Sequence, residues 1–196
     1  MKYVIETGAQ DGLYLGKTKW CDSYDDICCI LIEPHPYSFD RLKQNRFEKN
    51  IFINKALVSF DYEGDHIILN EKHAIEQCSV LDIKESGILE QMSISQAAKH
   101  KCEVSTLQKV LEDLNIDIIE KLYLSVEGYE SEVLKGIDFS KTLIKEIEIT
   151  AQFKKLEVSQ KLEFENLYKI LSIYYPYQEE ICPNDILKYV FKLKNV

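Results

Sequence analysis

Tyr3-Val4-Ile5-Glu6-Thr7-Gly8-Ala9-Gln10-Asp11-Gly12 is the stretch on which the rest of this sequence turns. Tyr3 to Ile5 supply a buried apolar strand, Glu6 closes it, and a turn bounded by Gly8 and Gly12 follows at once. Neither glycine carries a Cβ, so the backbone can reverse sharply and pass close to a ligand. The spacing is Gly-xxx-Gly, not the Gly-x-Gly-xx-Gly of a pyrophosphate-binding turn, which counts against a nicotinamide-dependent dehydrogenase. Taken alone, the pair fits a purely structural turn as well as a ligand site.

Ile27 to Ile32 form a nearly continuous apolar run, the pattern of a strand covered by helices on both faces. It ends in Glu33-Pro34-His35-Pro36, with Glu33 21 residues after Gly12. That step of roughly 20 residues is the one at which nucleotide folds set an acid against ribose hydroxyls. A carboxylate suits the task because it accepts hydrogen bonds from both vicinal hydroxyls. A solvated acid at a strand end is the alternative, and the upstream glycine turn favours ligation.

Outward from these two strands the chain alternates. Pro36 suits the first turn of a helix that runs to about Lys49 with Phe39 and Leu42 inward. Ile51 to Ile53 read as a third strand leading into Lys55-Ala56-Leu57-Val58. Gly64 separates Val58-Ser59-Phe60 from Ile67-Ile68-Leu69, which predicts a small antiparallel pair. Residues 71–101 are polar and weakly periodic, and a segment of that length is expected to be functional or mobile. Ser105 with Gln108 three positions on predicts a capping box for a helix carrying Leu107, Val110, Leu111 and Leu114. Leu122 to Val126 form a strand ending in Glu127-Gly128, and a short helix from about Tyr129 stops at Gly136. Leu143 to Ile149, a helix through Phe164, Leu167, Leu171 and Tyr174, and a hairpin around Cys182-Pro183-Asn184-Asp185 complete the chain. Strands separated by helices imply an α/β, mostly parallel sheet with right-handed crossovers, plus a C-terminal antiparallel hairpin. Ligands bind such sheets beyond the carboxyl ends of the strands, where Glu6, Glu33 and Ser125 to Glu127 are expected to converge.

A chain of 196 residues suits one domain, 1–196, and a net charge of −9 argues against nucleic acid or an anionic membrane as partner. No apolar run approaches a membrane span and no signal peptide precedes the first strand, so the expected location is cytoplasmic. Cys21, Cys28, Cys29, Cys78, Cys102 and Cys182 include no Cys-xx-Cys pair and are expected to be buried free thiols. Only Met1 and Lys2 precede the first strand, which suggests a domain of a longer polypeptide or a minimal version of its fold.

The ordered motifs resemble a known family. Glu6 to Gly12 is similar to the Asp-x-Gly-Ala-Asn-x-Gly opening of FkbM-type methyltransferases. Ile32 to Pro36 with Phe39, Leu42 and Asn45, then Lys55 to Val58, Val104 to Leu107, Val126 to Glu130 and Val133 to Gly136, resemble later blocks. The likeness runs from residue 3 to about residue 150. It implies a Rossmann-like class I methyltransferase fold with a seven-stranded sheet, S-adenosylmethionine as cofactor, and transfer to an oxygen, often of a sugar or polyketide-type product. Carried over by position, Glu6, Gly8, Ala9 and Gln10 would surround the methionine part within the turn that continues through Asp11 and Gly12. Glu33, followed by Pro34, would hold the ribose, and Ala56 and Leu57 would flank the adenine. Ser125 and Glu127 would line the floor where donor and acceptor meet. On this scheme Glu6 and Glu33 hold opposite portions of one adenosyl compound.

The chain departs from the family pattern at Gln10 for Asn, Ser125 for Asp and Thr150 for an acid. Two missing carboxylates weaken a divalent-metal site, because hard cations want several anionic oxygens. Transfer to an aliphatic hydroxyl then needs a base or close alignment. Glu127 is the first candidate for that base and for acceptor contact, against the alternative that it accepts backbone N–H groups. His73 is the second candidate base, and Ser79 a candidate for substrate or cofactor contact. The expected partner is a small-molecule or glycan acceptor, with further domains of a larger glycan-synthesis protein also in view. A weakly active cofactor-binding or assembly module of the same fold is the alternative function.

Overall fold

The structure is a computed structural model, and it describes residues 1–13, 16–71, 78–79, 98–152, 158–181 and 186–193. The chain opens with β1 (Lys2–Thr7), a short 3-10 turn (Lys19–Ser23) and β2 (Ile27–Ile32). Next come α1 (Pro36–Asn45), β3 (Ile51–Ile53), β4 (Ala56–Leu57), β5 (His66–Glu71), β6 (Cys78–Ser79) and β7 (Lys99–Ser105). The second half holds α2 (Leu107–Leu114), β8 (Ile118–Leu124), α3 (Glu130–Lys135), β9 (Leu143–Gln152), α4 (Val158–Tyr174), β10 (Tyr177–Ile181) and β11 (Ile186–Lys192).

Seven strands form the central sheet in the order β10-β11-β9-β8-β1-β2-β3. β1 pairs in parallel with β2 and β8, while β11 runs antiparallel to β9 and β10. The chain therefore moves outward from β1 in one direction and restarts beside it with β8. That switch of direction opens a crevice beyond the carboxyl end of β1.

One face of the sheet carries the main core. Ile5, Ile30, Ile32, Leu122, Leu124, Ile147 and Ile149 alternate inward and pack under residues of α2, α3 and α4 such as Leu111, Leu134 and Leu171. Tyr175 closes that layer, its hydroxyl donating to the Ile144 carbonyl at 2.8 Å. Val4, Cys29 and Leu31 point to the opposite face, under Leu42 of α1.

Where β8, β9 and β11 lie side by side, that second face carries ion pairs. Lys121 meets Glu146 at 2.5 Å and Glu148 at 2.8 Å, and Lys188 meets Glu148 at 3.0 Å. Burial raises the Glu148 carboxyl, but the bonds from Lys121 and Lys188 outweigh it and hold it below the ordinary carboxylate range. The uneven alternation of β9 follows from this: Ile147 and Ile149 enter the core while Glu146 and Glu148 join the ladder.

Local expectations shift in several places. β8 runs over Ile118–Leu124 rather than Leu122 to Val126. α1 ends at Asn45 rather than near Lys49. Val58-Ser59-Phe60 does not pair with Ile67-Ile68-Leu69; β5 pairs antiparallel with β7 instead, and Val58 donates to the Ser105 carbonyl at 3.0 Å. β7 went unpredicted because Lys99 to Ser105 is mostly polar and lies on a small second sheet ordered β4-β7-β5-β6. The cap of α2 is Thr106, whose hydroxyl accepts from the Lys109 N–H, and not Ser105, which ends β7. Gln108 serves the fold differently from a capping box, accepting the Asp138 N–H and the Thr142 hydroxyl.

Candidate functional site

The turn after β1 is shaped by what stands behind it. Gly8 has φ +69°, and a Cβ there would lie 2.1 Å from the Ser125 carbonyl oxygen, so only glycine lets β1 and β8 end side by side. Gln10 also has positive φ, +51°. Its N–H donates to Glu33 at 2.8 Å, and the other oxygen of the same carboxylate accepts the His35 N–H at 2.9 Å. Glu33 thus ties the loop after β1 to the end of β2. His35 in turn caps α1, its Nδ1 accepting the Ser38 N–H at 3.2 Å.

Beyond these strand ends lies a cavity of about 670 Å³, its mouth included. Thr7, Gly8, Gln10, Glu33 and Pro34 form one wall. Lys55, Ala56, Leu57 and Leu69 form a mostly apolar second wall, and Ser125 to Glu127 with Tyr129 form the third. Glu33 is 5% exposed, and burial pushes its carboxyl up to about 7 against the pull of the two backbone N–H groups.

Of the residues expected from sequence, the cavity brings together Gly8, Gln10, Glu33, Pro34, Ala56, Leu57, Ser125 and Glu127. It does not include Glu6, Ala9, Asp11 or Gly12. Strand alternation sends Glu6 to the face of Val4 and Cys29, where its oxygens accept the N–H groups of Lys17 at 2.8 Å and Thr18 at 3.1 Å. Arg46, fully buried, lies 4.0 Å away and binds Asp22 through two bonds at 2.8 and 3.1 Å. Burial raises the Glu6 carboxyl, and the Thr18 hydroxyl bond pulls the other way. Glu6 therefore anchors the returning loop and is not among the residues that line the cavity. Ala9 is packed in the core beside Leu42. Asp11 accepts the Leu13 N–H at 3.0 Å and pairs with Arg41 at 3.0 Å. Gly12 has φ +77° and lies so close to α1 that a Cβ would meet Leu42 and Arg46 at 2.7 Å.

His73 lies outside the described residues. Ser79 is placed by its backbone alone, opposite Asn70 in β6. Thr150 takes the Lys17 ammonium on its hydroxyl at 2.8 Å. Thr7, Lys55 and Tyr129 line the cavity without having been singled out as site residues. Each lies within a motif quoted above, so motif membership at a strand end was the available signal. Cys21, Cys28, Cys29 and Cys102 are buried free thiols, as expected. Among the described residues no group of three His, Cys, Asp or Glu could hold a metal ion, and no helix is long and apolar enough to cross a membrane.

The strand order, the reversed last strand and a cavity at the switch beside β1 define a class I methyltransferase fold. Residues 6–178 match the methyltransferase FkbM domain family, and the chain belongs to that family. Among solved structures it is similar to a human methyltransferase 10 domain containing protein, at 10% identity and TM-score 0.47, covering 100% of this chain and 73% of that one. A fibrillarin/Nop5p complex is similar at 12% identity and TM-score 0.47, covering 98% and 73%. The N-terminal domain of human METTL16 in complex with SAH is similar at 11% identity and TM-score 0.45, covering 100% and 62%. No curated protein matches the chain.

Proposed function

We propose that this protein is an S-adenosylmethionine-dependent O-methyltransferase whose acceptor is a hydroxyl of a sugar, a glycan or a related hydroxylated small molecule. The observation that carries the reading is Glu33, a buried carboxylate in the cavity wall, held by the Gln10 and His35 N–H groups. Two bonds leave lone pairs on both oxygens for vicinal ribose hydroxyls. Ala56, Leu57 and Leu69 offer an apolar wall suited to an adenine ring.

When bound, the sulfonium cofactor supplies an electrophilic methyl carbon. The chain's own contribution is alignment and proton removal. Ser125, Glu127 and Tyr129 border the space left for an acceptor. Glu127 would accept the hydrogen bond of the acceptor hydroxyl and hold its proton as general base. Holding that hydroxyl in a fixed place would supply much of the rate gain, because a two-molecule encounter becomes a positioned one. No step is assigned to a metal ion.

Calorimetric titration with S-adenosylhomocysteine tests the foundation, and absence of binding would overturn it. Formation of S-adenosylhomocysteine from S-adenosylmethionine across a panel of sugars then tests the acceptor class. A second reading, a cofactor-binding module of little activity, is favoured by Ser125 and by Thr150 being engaged with Lys17. It predicts cofactor binding with no turnover on any hydroxylated acceptor.

A further inference from the structure

Glu130 is a buried carboxylate that the proposed reaction does not use. It opens α3, is 2% exposed, and its two oxygens accept the Val126 N–H at 2.9 Å and the Gly128 N–H at 3.0 Å. The residue between those two donors is Glu127, which has φ +54°, followed by Gly128 at φ +96°. A side-chain-bearing residue seldom occupies the left-handed region unless its surroundings hold it there. Here one carboxylate grips both flanking peptides, while Ser125 is pressed against Gly8 on the other side. The turn so held carries Glu127 to the cavity wall.

We propose that Glu130 is a positioning residue: by clamping the Val126–Gly128 turn it makes Glu127 present its negative charge to the donor's sulfonium, so that the protein prefers charged over neutral cofactor. The inference rests on the cofactor reading above and deepens it. A carboxylate close to a cation in a partly dehydrated cavity favours binding of the charged ligand. The neutral thioether product gains nothing from that contact and leaves more readily.

The test compares two ligands that need no acceptor: S-adenosylhomocysteine, which is neutral at sulfur, and sinefungin, which carries an amine-bearing carbon in its place. The wild type is expected to prefer sinefungin by roughly tenfold or more. E127Q is expected to lose that preference while keeping its affinity for S-adenosylhomocysteine. E130Q is expected to lose it too, with Glu127 still present, and E127Q/E130Q to lose no more than either alone. Circular dichroism reports whether each variant is folded. Should E130Q not fold, E130D keeps the charge but is one methylene too short to reach both N–H groups, and it carries the same comparison. Retention of the full preference in a folded Glu130 variant overturns the proposal, as does equal weakening of both ligands. A wild type that binds neither ligand overturns the cofactor reading instead.

Discussion

The Glu33 carboxylate receives the backbone N–H of Gln10 at 2.8 Å across a separation of 23 residues, and so joins the turn after β1 to the end of β2. Its other oxygen holds the His35 N–H. One buried acid therefore holds the two loops of a single cavity wall together while lining that wall itself. Glu6 and Glu130 repeat the device, each accepting two backbone N–H groups from a neighbouring loop.

Replacing Glu33 should therefore weaken cofactor binding on two accounts, the lost ribose contact and the loosened Gln10 turn. Hydrogen bonds to a charged group contribute about 1.5–3 kcal/mol. E33A is expected to bind S-adenosylhomocysteine roughly 10- to 100-fold more weakly by calorimetry, with E33Q between it and wild type. Unchanged affinity in E33A would place the ribose elsewhere.

The same burial sets a pH dependence of stability. Burial pushes the carboxyls of Glu33 and Glu130 up to about 7, their backbone N–H partners only partly opposing it, and raises Glu6 as well. Between the ordinary glutamate value of 4.5 and about 7 the folded protein holds protons that the unfolded chain has shed. Stability should accordingly fall as pH rises through that window. Thermal unfolding from pH 5.5 to 8 is expected to show a declining midpoint, and a shallower decline in E33Q. A midpoint that climbs across the interval, or an E33Q slope equal to that of wild type, contradicts this assignment.

Gly8 admits no side chain. G8A would place a Cβ 2.1 Å from the Ser125 carbonyl oxygen at φ +69°, and is expected to cost about 2–4 kcal/mol in chemical denaturation, with loss of cofactor binding. Gly64 provides the control: its nearest neighbour would be the Tyr62 ring at 3.1 Å and no left-handed φ is involved. G64A should change stability by less than about 1 kcal/mol. Equal effects of the two substitutions would refute the packing argument.

Thr106 and Ser105 separate the observed cap from the one that the sequence pattern suggests. T106A removes the acceptor of the Lys109 N–H and is expected to cost about 1 kcal/mol. S105A removes a hydroxyl that donates to the Thr106 carbonyl at 3.3 Å, and should stay within about 0.5 kcal/mol of wild type. Denaturant midpoints of the two variants decide the matter, and a larger loss in S105A would restore the capping box.

Much of the fold was legible because its signals are local. Ile27 to Ile32 announced a doubly covered strand, Pro36 the start of α1, Gly136 the end of α3, and Leu167 and Leu171 the inward side of α4. β7 was not, since its polar residues earn their place by pairing with β5, a partner some thirty residues upstream. Of the site, Glu33, Gly8, Ala56, Leu57 and the Ser125–Glu127 turn were readable from motif and strand-end position. The role of Glu130 was not, because only the folded turn shows which N–H groups its oxygens reach.

The amino-acid sequence by itself determined that β1 ends in an acid followed by a glycine turn, that a second acid stands at the end of β2, and that the chain carries FkbM-type blocks in order. Tertiary structure alone decided that Glu33 faces the cavity while Glu6 turns away to hold Lys17 and Thr18. The physical reason is position along the strands: Glu6 lies inside β1, paired with Leu31 and bonded to the returning loop, whereas Glu33 stands one residue past the end of β2, where the chain leaves the sheet and borders the cavity.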